Sequence, residues 1–227
     1  MNRIEINEKV LSKNDIVAAR IREKAAQTRT AVINLTSSPG SGKTSLLEAL
    51  LPRLQTKYRL AVIEGDLRTE NDADRLRQRG INAIQIQTGD ACHLEAAQVE
   101  ALLGTTEPAG CAIELETLDL LIIENIGNLV CPASYDLGED AFFVMLSVTE
   151  GDDKPAKYPT IFFNADYFIL NKIDLAPYVD FSIEKCIANA LAVNARLKTA
   201  TISARTGAGL DEIAQVIEDI IVAKKAN

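Results

Sequence analysis

The chain is short of positive charge. Its 24 lysines and arginines face 32 aspartates and glutamates, for a net charge of −8. Nucleic-acid backbones and anionic membranes are held by positive patches, so neither is an expected partner. Long apolar runs are missing as well. "LLIIENIGNLV" is broken by Glu124 and Asn125, far short of a membrane span. The opening "MNRIEINEKV" alternates charged and apolar residues and lacks the apolar core of a signal peptide, so the cytoplasm is the expected location. Cysteine is sparse: Cys92, Cys111, Cys131 and Cys186 are the full set. In a cytosolic chain they are no disulfide framework, which leaves metal binding, reactivity or plain burial. Histidine is scarcer still, since His93 stands alone, directly after Cys92 in "DACHLEAA". No internal repeat, low-complexity segment or linker interrupts the chain.

What is present suffices for one domain. With 227 residues, 47% of them hydrophobic, residues 1–227 can bury a proper core as a single α/β unit. Residues 12–28 have the pattern of an amphipathic helix, with Ser12 or Asn14 able to cap it. Seven short apolar runs follow, at 30–37, 59–65, 83–88, 118–125, 141–148, 167–172 and 199–203. Helical patterns fit at 44–57, 71–79, 93–103, 182–196 and 210–225. Runs apolar almost throughout suit strands buried on both faces. The expected fold is therefore α/β with three layers: a mostly parallel sheet of about seven strands, covered by helices on both sides.

After the first run comes "SSPGSGKTSLLEALL", with G-x-G-K-T between a strand and a helix, as a P-loop requires. Gly40 and Gly42 let backbone N–H groups approach phosphate oxygens, and the helix start favours negative charge. Lys43 is placed to reach the β- and γ-phosphates, and Thr44 to offer its hydroxyl to Mg²⁺. Gly40, Ser41, Gly42, Lys43, Thr44 and Ser45 form the expected nucleotide cradle. Ser37 stands where the general pattern has its first glycine. The alternative is an ordinary glycine-rich turn.

"ILNKIDLAP" carries N-K-x-D at Asn171, Lys172 and Asp174. A carboxylate there accepts from N1–H and the exocyclic amino group of guanine. Adenine has no N1 donor and would leave that carboxylate unpaired, which discriminates strongly. "SARTG" follows the next strand, where Ser203 and Ala204 would turn backbone N–H groups to the guanine carbonyl. The expected ligand is GTP or GDP.

Asp66 ends the second run, and Glu124 ends another with Gly127 three residues on. Strand-end carboxylates near a P-loop suit a Mg²⁺ site, made here of Thr44, Asp66 and Glu124. In GTPases, an acid followed at this distance by a glycine senses the γ-phosphate. Asp72 is either a group that activates water or, with Asp74, a favourable charge at a helix start. The expected catalytic set is Lys43, Asp66, Asp72, Glu124 and Gly127. Cys131 comes four residues after Gly127. Two thiolates and an imidazole suit Zn²⁺ or Ni²⁺, although adjacent helical residues diverge by about 100° and a lone cysteine is commonly an inert packing group. Cys111 and Cys186 lack polar context.

Taken together, "SSPGSGKT", "EGDLRTENDADR", "TGDACHLEA", "ENIGNLVCPASYDLGED", "NKIDL" and "SARTGAGL" resemble the HypB family of hydrogenase nickel-incorporation GTPases, from about residue 30 onward. "CHLEA" and "ENIGNLVCP" are its specific parts. The resemblance implies a three-layer P-loop domain that dimerises, in a nucleotide-dependent way, across nucleotide-bearing faces. It implies a Ni²⁺ or Zn²⁺ site at the subunit interface, with Cys92, His93 and Cys131 as ligands, and Mg²⁺ held near Thr44, Asp66 and Glu124. It also implies slow GTP turnover, a nickel-binding accessory protein and the large subunit of a [NiFe]-hydrogenase as partners. Some members carry an N-terminal cysteine motif or a histidine-rich tract. "MNRIEINEKVLSK" has neither, so this chain is expected to pass metal on, not to stockpile it. A urease-type accessory GTPase of the UreG kind has Cys-Pro-His where this sequence has Cys131, Pro132 and Ala133. A scaffold with a degenerate nucleotide site is opposed by Lys43, Thr44 and Asp174.

Overall fold

The computed structural model describes residues 3–66, 71–89, 91–104 and 113–226, with the backbone alone for residues 3–10, Asp66 and Asn71. Seven strands form one sheet: β1 Ala31–Ser37, β2 Leu60–Asp66, β3 Asn82–Gln87, β4 Leu120–Gly127, β5 Ala141–Ser147, β6 Tyr167–Asn171 and β7 Lys198–Thr201. Their order is β3-β2-β4-β1-β5-β6-β7, and every pairing is parallel. The helices are α1 Arg3–Thr28, α2 Lys43–Leu54, α3 Asn71–Gln78, α4 Ala96–Glu100, α5 Lys154–Lys157, α6 Pro159–Asn164, α7 Ile183–Val193 and α8 Leu210–Ala226.

Strand alternation sorts the helices into two layers. Ile33, Leu35, Val62, Ile122, Phe143 and Ile169 point to one face, where α2, α3 and α8 cover them. Val32, Ala61, Ile63, Leu121 and Ile123 point the other way, under α1 and α4. On that same face, Val144, Leu146, Phe168 and Leu170 pack against α6 and α7. Because both faces are covered, β1 and β5 are buried at every residue, which is why their sequences are apolar runs without alternation. The connection after β1 leads across β4 to β2, while the connection after β4 leads across β1 to β5, so the two run in opposite directions. That reversal opens a crevice at the carboxyl ends of β1 and β4, the usual ligand position in such sheets.

Four details differ from the pattern-based expectations. α1 starts at Arg3, nine residues before the expected start, so Asn14 lies inside the helix instead of capping it, and its side chain is buried. Glu124 is inside β4, because pairing resumes at Ser37 and Gly127 after a register shift. The helix expected over 93–103 shrinks to Ala96–Glu100, closed at its start by a capping box between Glu95 and Gln98. Cys92 and His93 are thereby left on irregular chain. Two short helices, α5 and α6, also fill the β5–β6 connection, each with proline in its first turn. Cys111 falls outside the described residues. No helix among the described residues is long and apolar enough to cross a membrane.

Candidate functional site

Gly40 and Gly42 adopt left-handed backbone, with φ of 74° and 96°. At Gly42 a Cβ would also lie 2.8 Å from Nδ2 of Asn171, so the loop needs glycine there for conformation and for space. Side chains from the sheet end hold the loop in place. Asn171 donates to the Ser41 carbonyl at 2.9 Å, and the Lys172 ammonium donates to the Gly40 carbonyl at 2.6 Å. The Ser41 hydroxyl donates to Glu150 at 2.7 Å, and Lys154 donates to the Ser38 hydroxyl at 2.8 Å. Ser37, at the position of the missing glycine, accepts from the Lys43 ammonium at 3.2 Å. A cavity of about 480 Å³ opens beside this loop, lined by Lys43, Thr44, Ser45, Asp72, Glu124 and Gly127 among others.

At the floor of the cavity stands a pair of buried carboxyl groups. Glu64 of β2 and Glu124 of β4 face each other in register. Thr44 donates to Oε1 of Glu124 at 3.0 Å, and the Lys43 ammonium lies 3.9 Å from the same oxygen. Burial, and then the charge of Glu124, push Glu64 up to about 12, so it keeps its proton and donates it to Glu124. Burial raises Glu124 too, opposed by Lys43 and by the hydrogen bonds from Glu64 and Thr44. Oε2 of each carboxyl is buried without a partner. A hydroxyl and carboxylate oxygens with unused lone pairs form a hard donor set that fits Mg²⁺. Glu64 was not among the expected site residues, yet an acid inside the apolar run "LAVIEG" is the signal that marks it. Asp72 lies in the first turn of α3 and accepts from Arg75 at 2.9 Å, and Arg75 also reaches Ser45 at 3.3 Å. The side chain of Asp66 lies outside the described atoms.

At the base-binding end, the Ser203 hydroxyl donates to Asp174 at 2.6 Å. The backbone N–H groups expected to face a guanine carbonyl are engaged within the protein. Ser203 donates to the Ala208 carbonyl at 3.0 Å, and Ala204 donates to Oδ1 of Asn171 at 3.0 Å. The turn after β7 closes on itself through the Ser203 donor, and β6 takes the Ala204 donor. Ser203 therefore acts on Asp174 through its hydroxyl.

The second centre lies on the other side of Gly127. Cys92, His93 and Cys131 come together with their ligand atoms all within 4.8 Å of one another. Freed from the helix, Cys92 and His93 turn toward the same point, and Sγ of Cys92 lies 3.5 Å from Nδ1 of His93. The His93 ring stacks on Tyr135, with centroids 3.8 Å apart. Its Nε2 is buried without a hydrogen-bond partner, 4.0 Å from a carboxylate oxygen of Glu95. Burial lowers the His93 pKa, which favours the neutral, ligating imidazole. The hydrogen bond with Cys131, and then burial, raise the Cys92 thiol. Cys186 is fully buried in α7, as an inert packing residue would be.

Asparagines connect the two centres. Next to Glu124, Oδ1 of Asn125 accepts from the Leu94 backbone at 3.1 Å, one residue past His93. Asn128, next to Gly127, donates to the Cys92 carbonyl at 3.2 Å. Asn34 of β1 donates to Glu139 at 3.1 Å and lies 3.5 Å from Asn125.

The chain is similar to known proteins. A family model described as "CobW/HypB/UreG, nucleotide-binding domain" matches residues 31–201. The hydrogenase maturation factor HypB of Rhizobium leguminosarum bv. viciae is 50% identical over 208 residues, covering 92% of this chain and 67% of that protein. The hydrogenase/urease maturation factor HypB of Helicobacter pylori is 50% identical over 182 residues, covering 80% and 73%. A crystal structure of HypB from Helicobacter pylori in complex with nickel superposes with a TM-score of 0.85 at 41% identity, covering 93% of this chain and 96% of that one. The chain belongs to the CobW/HypB/UreG nucleotide-binding family, and within it to the HypB hydrogenase maturation factors.

Proposed function

We propose that this chain is a cytoplasmic GTP-hydrolysing switch that carries nickel during maturation of a [NiFe]-hydrogenase, handing it on with an accessory protein to the hydrogenase large subunit. The observation that carries the reading is the convergence of Cys92, His93 and Cys131 within 4.8 Å, with Cys131 on the chain that leaves the nucleotide cavity at Gly127. Two thiolates and an imidazole suit Ni²⁺ as cargo and equally accept Zn²⁺. Three ligands leave the metal short of a full set, so a homodimer that brings two such sets together is the expected working form. The nickel-bound relative from Helicobacter pylori supports the choice of metal. Another relative's name joins urease to hydrogenase, and service to urease is the second reading.

At the nucleotide, Lys43 and the Gly40–Ser45 backbone hold phosphates, and Asp174 selects guanine. Thr44, Asp66 and Glu124 would hold Mg²⁺, which would neutralise charge on the phosphates. Gly127 feels the γ-phosphate, and Asp72 is the group offered to the attacking water. The test combines two titrations. GTP should outcompete ATP by at least about a hundredfold, because adenine leaves the Asp174 carboxylate unpaired. Cys92→Ala, His93→Ala and Cys131→Ala should each lose most Ni²⁺ binding with GTP affinity nearly unchanged, while Cys186→Ala binds Ni²⁺ like wild type. Equal affinity for ATP, or a Cys186 requirement, would overturn the reading. Loss of GTP hydrolysis in Lys43→Ala separates the enzyme from an inert scaffold.

A further inference from the structure

Asn14 has no part in the nucleotide site, and among the described side chains of α1 it is the most deeply set polar one, at 6% exposure. Its Nδ2 donates to the Asp136 carbonyl at 2.8 Å, and its Oδ1 accepts from the Ala96 backbone at 2.9 Å. Ala96 is three residues after His93, and Asp136 is five after Cys131. One amide thus grips both segments that present the three donors. Only a side chain with a donor and an acceptor on one short stem can satisfy a backbone N–H and a backbone C=O together. Ala96 begins α4, and its N–H has no partner within that helix, so Asn14 also serves a group that burial would otherwise orphan.

Neighbours on α1 press on the same two segments. Arg22 donates to the Asp136 carboxylate at 2.7 Å, and Arg20 holds Glu100 at the far end of α4 at 2.7 Å. Under α1 the chain after Asp136 runs so close that a Cβ on Gly138 would lie 2.7 Å from the Ala18 carbonyl. Both segments are otherwise irregular, since Cys92 and His93 precede α4 and Cys131 opens a single 3₁₀ turn. Donors on irregular chain stay at ligating distance only if something fixes their supports.

We infer that Asn14 is a positioning residue for the metal cluster: its amide sets the separation between the Cys92–His93 segment and the Cys131 segment, so α1 decides how well the three donors close on a metal. This rests on the metal reading above. Outer supports of metal ligands commonly control affinity by about 10–100-fold, and Asn14→Leu should lie in that range for Ni²⁺. Asn14→Asp keeps the acceptor for Ala96 and loses the donor to Asp136, so it should release the Cys131 side alone.

The experiment titrates Ni²⁺ alone into the full chain loaded with GDP. It follows binding affinity and the thiolate-to-nickel absorption band in wild type, Asn14→Leu, Asn14→Asp and Cys131→Ser, with circular dichroism and GDP affinity on each. The expected result is at least about tenfold weaker binding in Asn14→Leu, a thiolate band in Asn14→Asp weakened toward that of Cys131→Ser, and GDP affinity within about twofold throughout. A folded Asn14→Leu that binds Ni²⁺ as wild type does, with an unchanged band, overturns the clamp. So does loss of fold in both Asn14 variants, which would make the residue part of the core and nothing more. If Cys131→Ser itself binds Ni²⁺ like wild type, the metal reading has failed, an outcome distinct from failure of the clamp.

Discussion

Glu139 sits in the polar seam between α1 and the sheet, where it accepts from Asn34 at 3.1 Å and from the Leu137 backbone at 2.8 Å. Burial pushes its pKa up from 4.5 to about 7. Between those values the folded chain keeps a proton that the unfolded chain has lost, so folding stability falls as pH rises through that window and is level above it. The effect is on the order of 3 kcal/mol, taking about 1.4 kcal/mol for each pH unit of displacement. Glu139→Gln carries no titrating group at this place. Calorimetry should therefore show wild type losing more melting temperature than Glu139→Gln between pH 5 and pH 7.5. Parallel profiles would remove Glu139 from the pH dependence. Neither Glu139 nor Glu64 stood out in the sequence as strongly as Lys43 or Asp174. A motif marks residues that meet a ligand, whereas these carboxyls act through partners brought by distant strands.

Among elements, the P-loop and the end of β4 touch closely. A Cβ on Gly127 would stand 3.0 Å from Cα of Pro39 and 3.1 Å from its nitrogen, both backbone atoms that cannot swing aside. Gly127→Ala must push the P-loop or the β4 end, and overpacking of this kind costs about 1–3 kcal/mol. Nucleotide affinity should drop about tenfold in equilibrium titration, with far-ultraviolet circular dichroism unchanged. An alanine variant that binds GTP like wild type would show that the two segments part without cost. The seven strands and the helices after β1, β2, β6 and β7 were legible because buried parallel strands and amphipathic helices have distinct apolar patterns. α5 and α6 were not, since Pro155 and Pro159 punctuate "KPAKYPTIFFN" as a loop would, although proline is welcome in a helix's first turn. α4 was expected too long because "CHLEAAQVEALL" keeps helical spacing beyond both ends of the helix. Its first residues are instead drawn to Asn125, Asn128 and Asn14, contacts that no local pattern encodes.

Over the whole molecule, the nucleotide cavity and the Cys92–His93–Cys131 cluster share supports. Asn125 and Asn128 run from the β4 end to the chain around His93 and Cys92, and Cys131 follows Gly127 by a link that spans at most about 14 Å. If GTP and GDP hold the Glu124–Gly127 segment differently, metal affinity differs between them. The metal must then change the relative affinity for GTP and GDP by the same factor. The expected coupling is about 1–3 kcal/mol, or roughly 5–150-fold. Ni²⁺ dissociation constants in GDP and in a non-hydrolysable GTP analogue, at one pH and salt concentration, measure it. Identical constants, with a dimerisation constant indifferent to nucleotide, would leave two independent sites in one chain.

The stacking of Tyr135 on His93 has an optical consequence. The chain has no tryptophan and five tyrosines, so its ultraviolet emission is dominated by phenol rings and none of it is drained to an indole. One of those five rings lies 3.8 Å from the imidazole at the metal cluster. An ion with unpaired d electrons at His93, such as high-spin nickel, darkens that ring, while zinc, whose d shell is full, leaves it bright. If cargo is held at His93 as proposed, the molecule carries its own unlabelled lamp there, and that lamp would tell the two metals apart.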